Sequence, residues 1–195
     1  MRTKSHFTMI ELMLALGVCV IGICGVMVLF PIGANASRDA AMETYAANAA
    51  DQMLNYLRYR MQYSSTDWDG TLTHLTNNNP RNQGSYASAS ENLTSNWSSV
   101  GSEMPSCFYH SSPSLPGVYQ LLSWRDSGTP DVNKPENIEF RSILNVWYEN
   151  TDLAGVNERF AVRLNAEVCW PAELPSAARQ KKTYSLEIFN PNYLQ

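Results

Sequence analysis

The apolar positions of the chain are concentrated near its N-terminus. Residues 12–30 are nineteen consecutive positions without a charged side chain. Phe7 and Ile10 extend this stretch backwards, and Glu11 is its one charged member. An α-helix rises about 1.5 Å per residue, so about twenty such residues cross the roughly 30 Å hydrocarbon core of a bilayer. The pattern therefore predicts one membrane-spanning helix over residues 7–30, and no later segment is apolar enough to cross.

The charges on either side of this helix predict its orientation. Arg2 and Lys4 precede it, whereas Arg38 and Asp39 follow it as a balanced pair. Positively charged residues are retained on the cytoplasmic side of a membrane. We therefore expect residues 1–6 in the cytoplasm and the remainder of the chain on the outer side.

Residues 31–63 are predicted to continue the helix beyond the membrane. Pro31 and Gly33 indicate a break, after which Ser37 with Asp39 would cap a restart. Neither Gly nor Pro follows before residue 64, and an apolar stripe recurs at spacings of three and four residues. Its members are Met42, Tyr45, Ala49, Met53, Tyr56 and Arg60 or Met61. The stripe requires a surface to bury against, either the chain's own sheet or helices of neighbouring subunits.

Residues 64–117 have a different composition. Ser, Thr, Asn, Gly and Pro make up 32 of the 54 residues, yet several aromatic residues, including Trp68 and Trp97, are scattered among them. Turn-forming residues in such numbers predict an irregular, partly ordered region with one or two short strands. Loops carry variable function, so this region is the expected recognition surface, unless it is a variable insertion without a ligand.

Residues 118–195 show the alternation of a sheet. Strands are predicted over residues 118–124, 138–148 and 160–170 and around residues 184–189, with residues 171–182 as a long hairpin loop. The third is the clearest, because six apolar residues from Phe160 to Trp170 alternate with five others. The predicted fold class is therefore α+β, with a long N-terminal α-helix packed on one face of a small C-terminal antiparallel β-sheet.

The candidate chemistry is sparse. A net charge of −4 without a basic patch argues against a nucleic-acid partner. The acidic residues are isolated and no motif for nucleophilic, phosphate-binding or metal chemistry occurs, so we expect no enzyme activity, no metal site and no cofactor. Cys107 and Cys169 lie beyond the membrane helix, where disulfides are permitted, and they are the candidate disulfide pair.

The N-terminus matches a known pattern. Phe7-Thr8-Met9-Ile10-Glu11-Leu12 follows a short basic leader, residues 1–6, and precedes a long apolar helix that contains Pro31. This resembles the processing and methylation signature of type IV pilins and type II secretion pseudopilins. Residues 15–22 are more similar to a minor-pilin branch than to major pilins. A long N-terminal helix followed by a small antiparallel sheet is also the pilin-type architecture.

The resemblance implies a function in filament assembly. Prepilin peptidase would cut between His6 and Phe7, and Phe7 would become the methylated N-terminus. Glu11 would pair with the terminal amine of a neighbouring subunit, because a carboxylate in an apolar helix is costly without a cation. The expected partners are the inner membrane, other pilin or pseudopilin subunits and the peptidase. The protein would be single-pass, with its C-terminal domain in the periplasm or in a surface filament.

His6 departs from the family pattern, which usually has Gly before the cut bond. This leaves two alternatives open. The chain could remain a permanently membrane-anchored, pilin-like envelope protein that retains residues 1–6. It could instead be a secreted binding domain released by signal peptidase after Ala36, because Ala34-Asn35-Ala36 fits that cleavage pattern. The secreted alternative leaves Glu11 without an explanation.

Overall fold

The structure is a computed structural model, and it describes residues 8–63, 67–93, 97–99, 108–110, 115–124, 137–151 and 160–190. Its helical elements are α1 (Met9–Tyr63), α2 (Asp67–Thr73), the 3-10 helix η1 (Pro80–Asn82) and α3 (Tyr86–Glu91). Its strands are β1 (Ser98–Ser99), β2 (Phe108–His110), β3 (Val118–Trp124), β4 (Ile138–Thr151), β5 (Ala161–Trp170) and β6 (Gln180–Phe189). The chain divides into two compact units, Met1–Ala41 and Met42–Gln195.

The first unit contains the apolar half of α1. Every large apolar side chain from Met9 to Ile32 is at least 54% exposed, and none is buried by the chain itself. The helix is long and apolar enough to cross a membrane, as the sequence pattern predicts. The predicted break at Pro31 and Gly33 is wrong, because both residues lie inside α1. A proline removes one backbone hydrogen bond from a helix, and the helix continues past that loss.

The second unit is built on an antiparallel sheet. The strand order is β1-β2-β3-β4-β5-β6, and each strand is antiparallel to its neighbours. The four long strands, β3 to β6, confirm the antiparallel sheet predicted from the alternation of apolar residues. Three boundaries differ: β4 extends to Thr151, β5 begins at Ala161, and β6 begins at Gln180, so the hairpin loop is residues 171–179.

One face of the sheet packs on α1. The buried side chains of α1 are Ala46, Ala49, Ala50, Met53, Leu54, Leu57 and Met61, and they share one core with apolar residues of β3 to β6. The predicted helix stripe is partly wrong, because Tyr45 is 37% exposed. Small alanines lie between the helix and the sheet, whereas Tyr45 stays partly exposed and contacts the ring of the core residue Phe140, with 5.6 Å between centroids.

Part of the opposite face of the sheet is also covered, which the sequence did not predict. Tyr86 of α3 and Leu115 pack there against Val118, Ile143 and Cys169. Non-apolar positions of the sheet are therefore enclosed as well, and Glu167 is only 7% exposed. The fold is thus a sheet covered on one face by α1 and, over parts of β3 to β5, on the other face by the segment that contains η1 and α3.

The described part of residues 64–117 contains more regular structure than its composition predicts. It contributes the two short strands that we expected, β1 and β2, but also α2, η1 and α3. Trp68, Leu72 and Leu75 belong to the core that α1 shares with the sheet. Helices of six or seven residues are too short to show a recurring apolar stripe, so periodicity could not reveal them.

A tight turn fixes the start of β3. Pro116 and Gly117 occupy its two central positions, and the amide of Val118 donates to the carbonyl of Leu115 at 3.4 Å. Gly117 has φ of +80°, which L side chains rarely adopt and a type II turn requires at this position. The carbonyl of Gly117 accepts a 2.7 Å hydrogen bond from the amide of Val146. Gly117 therefore links the turn directly to the neighbouring strand β4.

Candidate functional site

The candidate assembly residue, Glu11, lies in the first turn of α1. The amide and the hydroxyl of Thr8 each donate a 3.2 Å hydrogen bond to Oε2 of Glu11. In return, the amide of Glu11 donates to the hydroxyl of Thr8 at 3.4 Å. The first helical backbone bond runs from the amide of Leu12 to the carbonyl of Thr8 at 3.2 Å. Thr8 is therefore the N-cap, and Thr8 with Glu11 forms a reciprocal capping box.

This geometry supplies a structural role for Glu11 that the sequence reasoning missed. The signal was present as Thr-x-x-Glu directly before an apolar run. The carboxylate stabilises the positive end of the helix dipole, and it does so without any second subunit. The side chain remains exposed and is followed by an exposed apolar surface, so the position also suits a cation from outside the chain.

The predicted processing residues, His6 and Phe7, lie outside the described residues. Cleavage between them and methylation of Phe7 therefore remain predictions. The alternative cleavage site, residues 34–36, lies within α1. Proteolysis there would require local unwinding of the helix.

A second group of functional interest is a buried polar cluster on the sheet face that α3 covers. Asn145 is its centre, because its amide nitrogen donates to the hydroxyl of Tyr86 at 3.0 Å and to Oε1 of Glu167 at 3.1 Å. Arg81 of η1 forms an ion pair with Oε2 of Glu167 at 3.2 Å. The thiol of Cys169 donates to Oε1 of Glu167 at 3.6 Å. These contacts join η1 and α3 to β4 and β5.

The electrostatics of the cluster keep its weak acids neutral. Burial, with the nearby Glu167 carboxylate, raises the pKa of Cys169 from 9.0 to about 12. Burial also raises the pKa of Tyr86 from 10.0 to about 12. A protonated thiol is a poor nucleophile and a poor metal ligand. The arrangement therefore suits a structural role, in which the Glu167 carboxylate accepts hydrogen bonds from groups on several elements and holds those elements together.

Arg179 makes a second connection between α3 and the sheet. Its guanidinium donates to the carbonyl of Ala172 at 2.8 Å and to the carbonyl of Ser90 at 3.1 Å. Close by, the amide of Ser176 donates to the carboxylate of Glu91 at 2.9 Å and lowers the pKa of that carboxyl. The end of α3 is thereby fixed against the loop of residues 171–179.

The candidate disulfide joins a described and an undescribed residue. Cys169 is a buried free thiol, and Cys107 lies outside the described residues. The pairing of Cys107 with Cys169 therefore remains a prediction.

The described part of the chain contains no group of three or more His, Cys, Asp or Glu side chains that could hold a metal ion.

Comparison with known proteins does not assign the chain to a family: no protein family, no curated protein and no solved structure matches it. The features that bear on function are the exposed apolar half of α1, Glu11 at its start and the partly enclosed sheet.

Proposed function

We propose that this protein is a minor pilin or pseudopilin, a structural subunit of a type IV pilus-like or type II secretion filament. One observation carries the proposal. The first half of α1 exposes a continuous apolar surface from Met9 to Ile32, with Glu11 in its first turn, and the same helix later packs on a sheet. The first half would assemble the filament, and the sheet-containing unit would face outwards.

The apolar surface has an energetic consequence. Burying one large apolar side chain contributes about 1.5–3 kcal/mol, and α1 exposes such residues on all of its sides before Ile32. Water is therefore a poor environment for this half of the helix. A bilayer supplies an apolar environment before assembly, and helices of neighbouring subunits supply one afterwards.

Glu11 would determine the register of assembly. A carboxylate in an apolar environment costs a few kcal/mol unless a cation joins it. In the proposed mechanism, the terminal amine of a neighbouring subunit supplies that cation after cleavage before Phe7. Only one axial offset between two subunits brings these groups together, so the ion pair selects that offset.

Two substitutions distinguish the role of the Glu11 charge from the role of Glu11 in the capping box. Glu11→Gln removes the charge but retains a side-chain oxygen that can cap the helix. Thr8→Ala removes the cap hydroxyl and retains the charge. We expect Glu11→Gln to insert into the membrane but to be lost from filaments purified from the native host, whereas Thr8→Ala is still incorporated. Normal incorporation of Glu11→Gln would refute the register mechanism.

The mature N-terminus tests the proposal as a whole. Mass spectrometry of the protein from native membranes should show a chain that begins at methylated Phe7. An intact Met1 would instead support a permanently anchored, pilin-like protein, as the unusual His6 suggests. A chain that begins at Ser37 would support a secreted domain and would refute the filament proposal.

A further inference from the structure

Strand β6 has an open edge in the part of the chain that the structure describes. It is ten residues long and pairs with β5 alone. The side chains of Lys181, Thr183, Ser185, Glu187 and Phe189 are exposed. An unpaired edge of this length presents backbone donors and acceptors that can pair with another strand.

The hydrogen-bond pattern shows which backbone groups are available. The amide of Asn190 donates to the carbonyl of Phe160 at 2.9 Å, in register with the β5–β6 pairs. In an antiparallel pair, such bonds recur at every second residue. Even-numbered residues of β6 therefore bond to β5, and odd-numbered residues from Lys181 to Phe189 direct their amides and carbonyls away from the sheet.

The usual protections of an edge strand are limited here. The sequence of β6 contains no proline, and its ten pairs with β5 run without a register shift. Two lysines lie at one end of the strand, but Lys182 forms an ion pair with Glu43 of α1. Natural edges are commonly blocked by lysine, proline or a bulge. From Thr183 to Phe189, none of these devices is present.

We propose that β6 pairs antiparallel with β6 of a second copy of this chain. The outward backbone groups belong to odd-numbered residues, so an odd-numbered residue must face an odd-numbered residue across the interface. The charges select one register among these. Lys181 then lies opposite the partner's Glu187, and two-fold symmetry repeats the pair. Opposite charges facing each other across strands are stabilising, whereas like charges are destabilising.

This register places Tyr184 on the two-fold axis, opposite the partner's Tyr184. Even-numbered residues form non-hydrogen-bonded pairs across the interface, where opposing Cα atoms are about 4.5 Å apart. Two tyrosine rings can stack at that position. Glu187 already contacts Arg163 at 2.7 Å, so the partner's Lys181 would extend an existing ion pair.

Cysteine cross-linking tests the register. In the full-length chain in mild detergent, with Cys19, Cys24 and Cys107 replaced by serine, Tyr184→Cys should form a disulfide-linked dimer on oxidation, because a disulfide fits a Cα separation of about 4.5 Å. Thr183→Cys and Ser185→Cys are the matched controls and should cross-link weakly. Absence of a Tyr184→Cys dimer in a protein with native near-UV circular dichroism would overturn the proposal, as would a stronger dimer from Ser185→Cys.

A charge exchange between two copies provides an independent test. Lys181→Glu places like charges opposite each other twice, and so does Glu187→Lys. In the Tyr184→Cys background, each variant alone should yield about tenfold less dimer, and a mixture of the two should restore it, because both pairs then carry opposite charges. A mixture that cross-links no better than either variant alone would overturn the proposed partner. The assay does not depend on filament assembly, so the two proposals fail separately.

Discussion

Replacement of Gly117 by alanine tests the description of the sheet most sharply. Gly117 lies in the turn before β3, with φ of +80°. A methyl group added there would lie 2.2 Å from the carbonyl oxygen of Val146 and 3.3 Å from Cγ of Pro80. The first of these contacts is with backbone that is itself part of β4, so it cannot be relieved by rotation of a side chain.

The expected loss of stability follows from three costs. An L side chain in the left-handed region costs about 1–2 kcal/mol. The 2.2 Å contact with Val146 must lengthen to at least 3.4 Å to reach an ordinary van der Waals distance. That shift disrupts the 2.7 Å hydrogen bond between the amide of Val146 and the carbonyl of Gly117, which contributes about 1 kcal/mol. We therefore expect Gly117→Ala to lower the free energy of unfolding by about 2–4 kcal/mol.

Chemical denaturation of the full-length chain in detergent, followed by tryptophan fluorescence, measures this change. Gly84→Ala is the matched control, because its added methyl group would meet no atom within 4 Å and its φ is not in the left-handed region. The control should leave stability within about 0.5 kcal/mol of the natural chain. If Gly117→Ala were as stable as Gly84→Ala, the result would contradict the positive φ of Gly117 and its close contact with β4.

Three further predictions concern the cluster around Glu167. Glu167→Gln should lower the free energy of unfolding by about 1–3 kcal/mol, because it leaves buried donors poorly paired. The exposed control Glu187→Gln should lower it by less than about 1 kcal/mol. Equal losses in the two variants would contradict the burial of Glu167. The free energy of unfolding should also decrease as pH rises from 9 towards 12. The pKa values of Cys169 and Tyr86 are higher in the folded chain than in the unfolded chain. Their contribution to the free energy of unfolding is therefore complete below the unfolded pKa values and is lost as the pH rises from those values through the folded ones. Cys169→Ala should flatten this alkaline slope, and an unchanged slope would contradict the assigned cause. Finally, Cys169 should resist alkylation at pH 8 in the folded chain and react after denaturation without reductant; failure to react then would indicate a disulfide.

The elements that were predicted from the sequence are those with strong local patterns. The apolar run before Pro31 requires apolar surroundings, and this requirement does not depend on how the rest of the chain folds. The alternation over β5 requires a strand with one apolar face, since side chains of a strand point to opposite sides in turn. The errors at Pro31 and Tyr45 arose where a local preference competes with helix propagation or with the shape of the packed surface.

The candidate sites divide in the same way. The capping box of Thr8 and Glu11 is local, spans four residues and was readable as a motif. The ion pair between Arg81 and Glu167 joins positions 86 residues apart, and no pattern in the sequence relates them. The short helices over residues 64–117 owe their order to tertiary contacts of Trp68 and Tyr86 rather than to helix propensity.

The sequence by itself determined the apolar N-terminal helix, the long strands and the α+β class, because each follows from the side-chain periodicity of a continuous segment. Only the tertiary structure decided that part of the second face of the sheet is covered and that Asn165, Glu167 and Cys169 of β5 are enclosed there. It also decided how closely Gly117 approaches the carbonyl of Val146 at its turn. These features depend on which distant segments meet, and the free energy of such contacts comes from burial and pairing that no single segment contains.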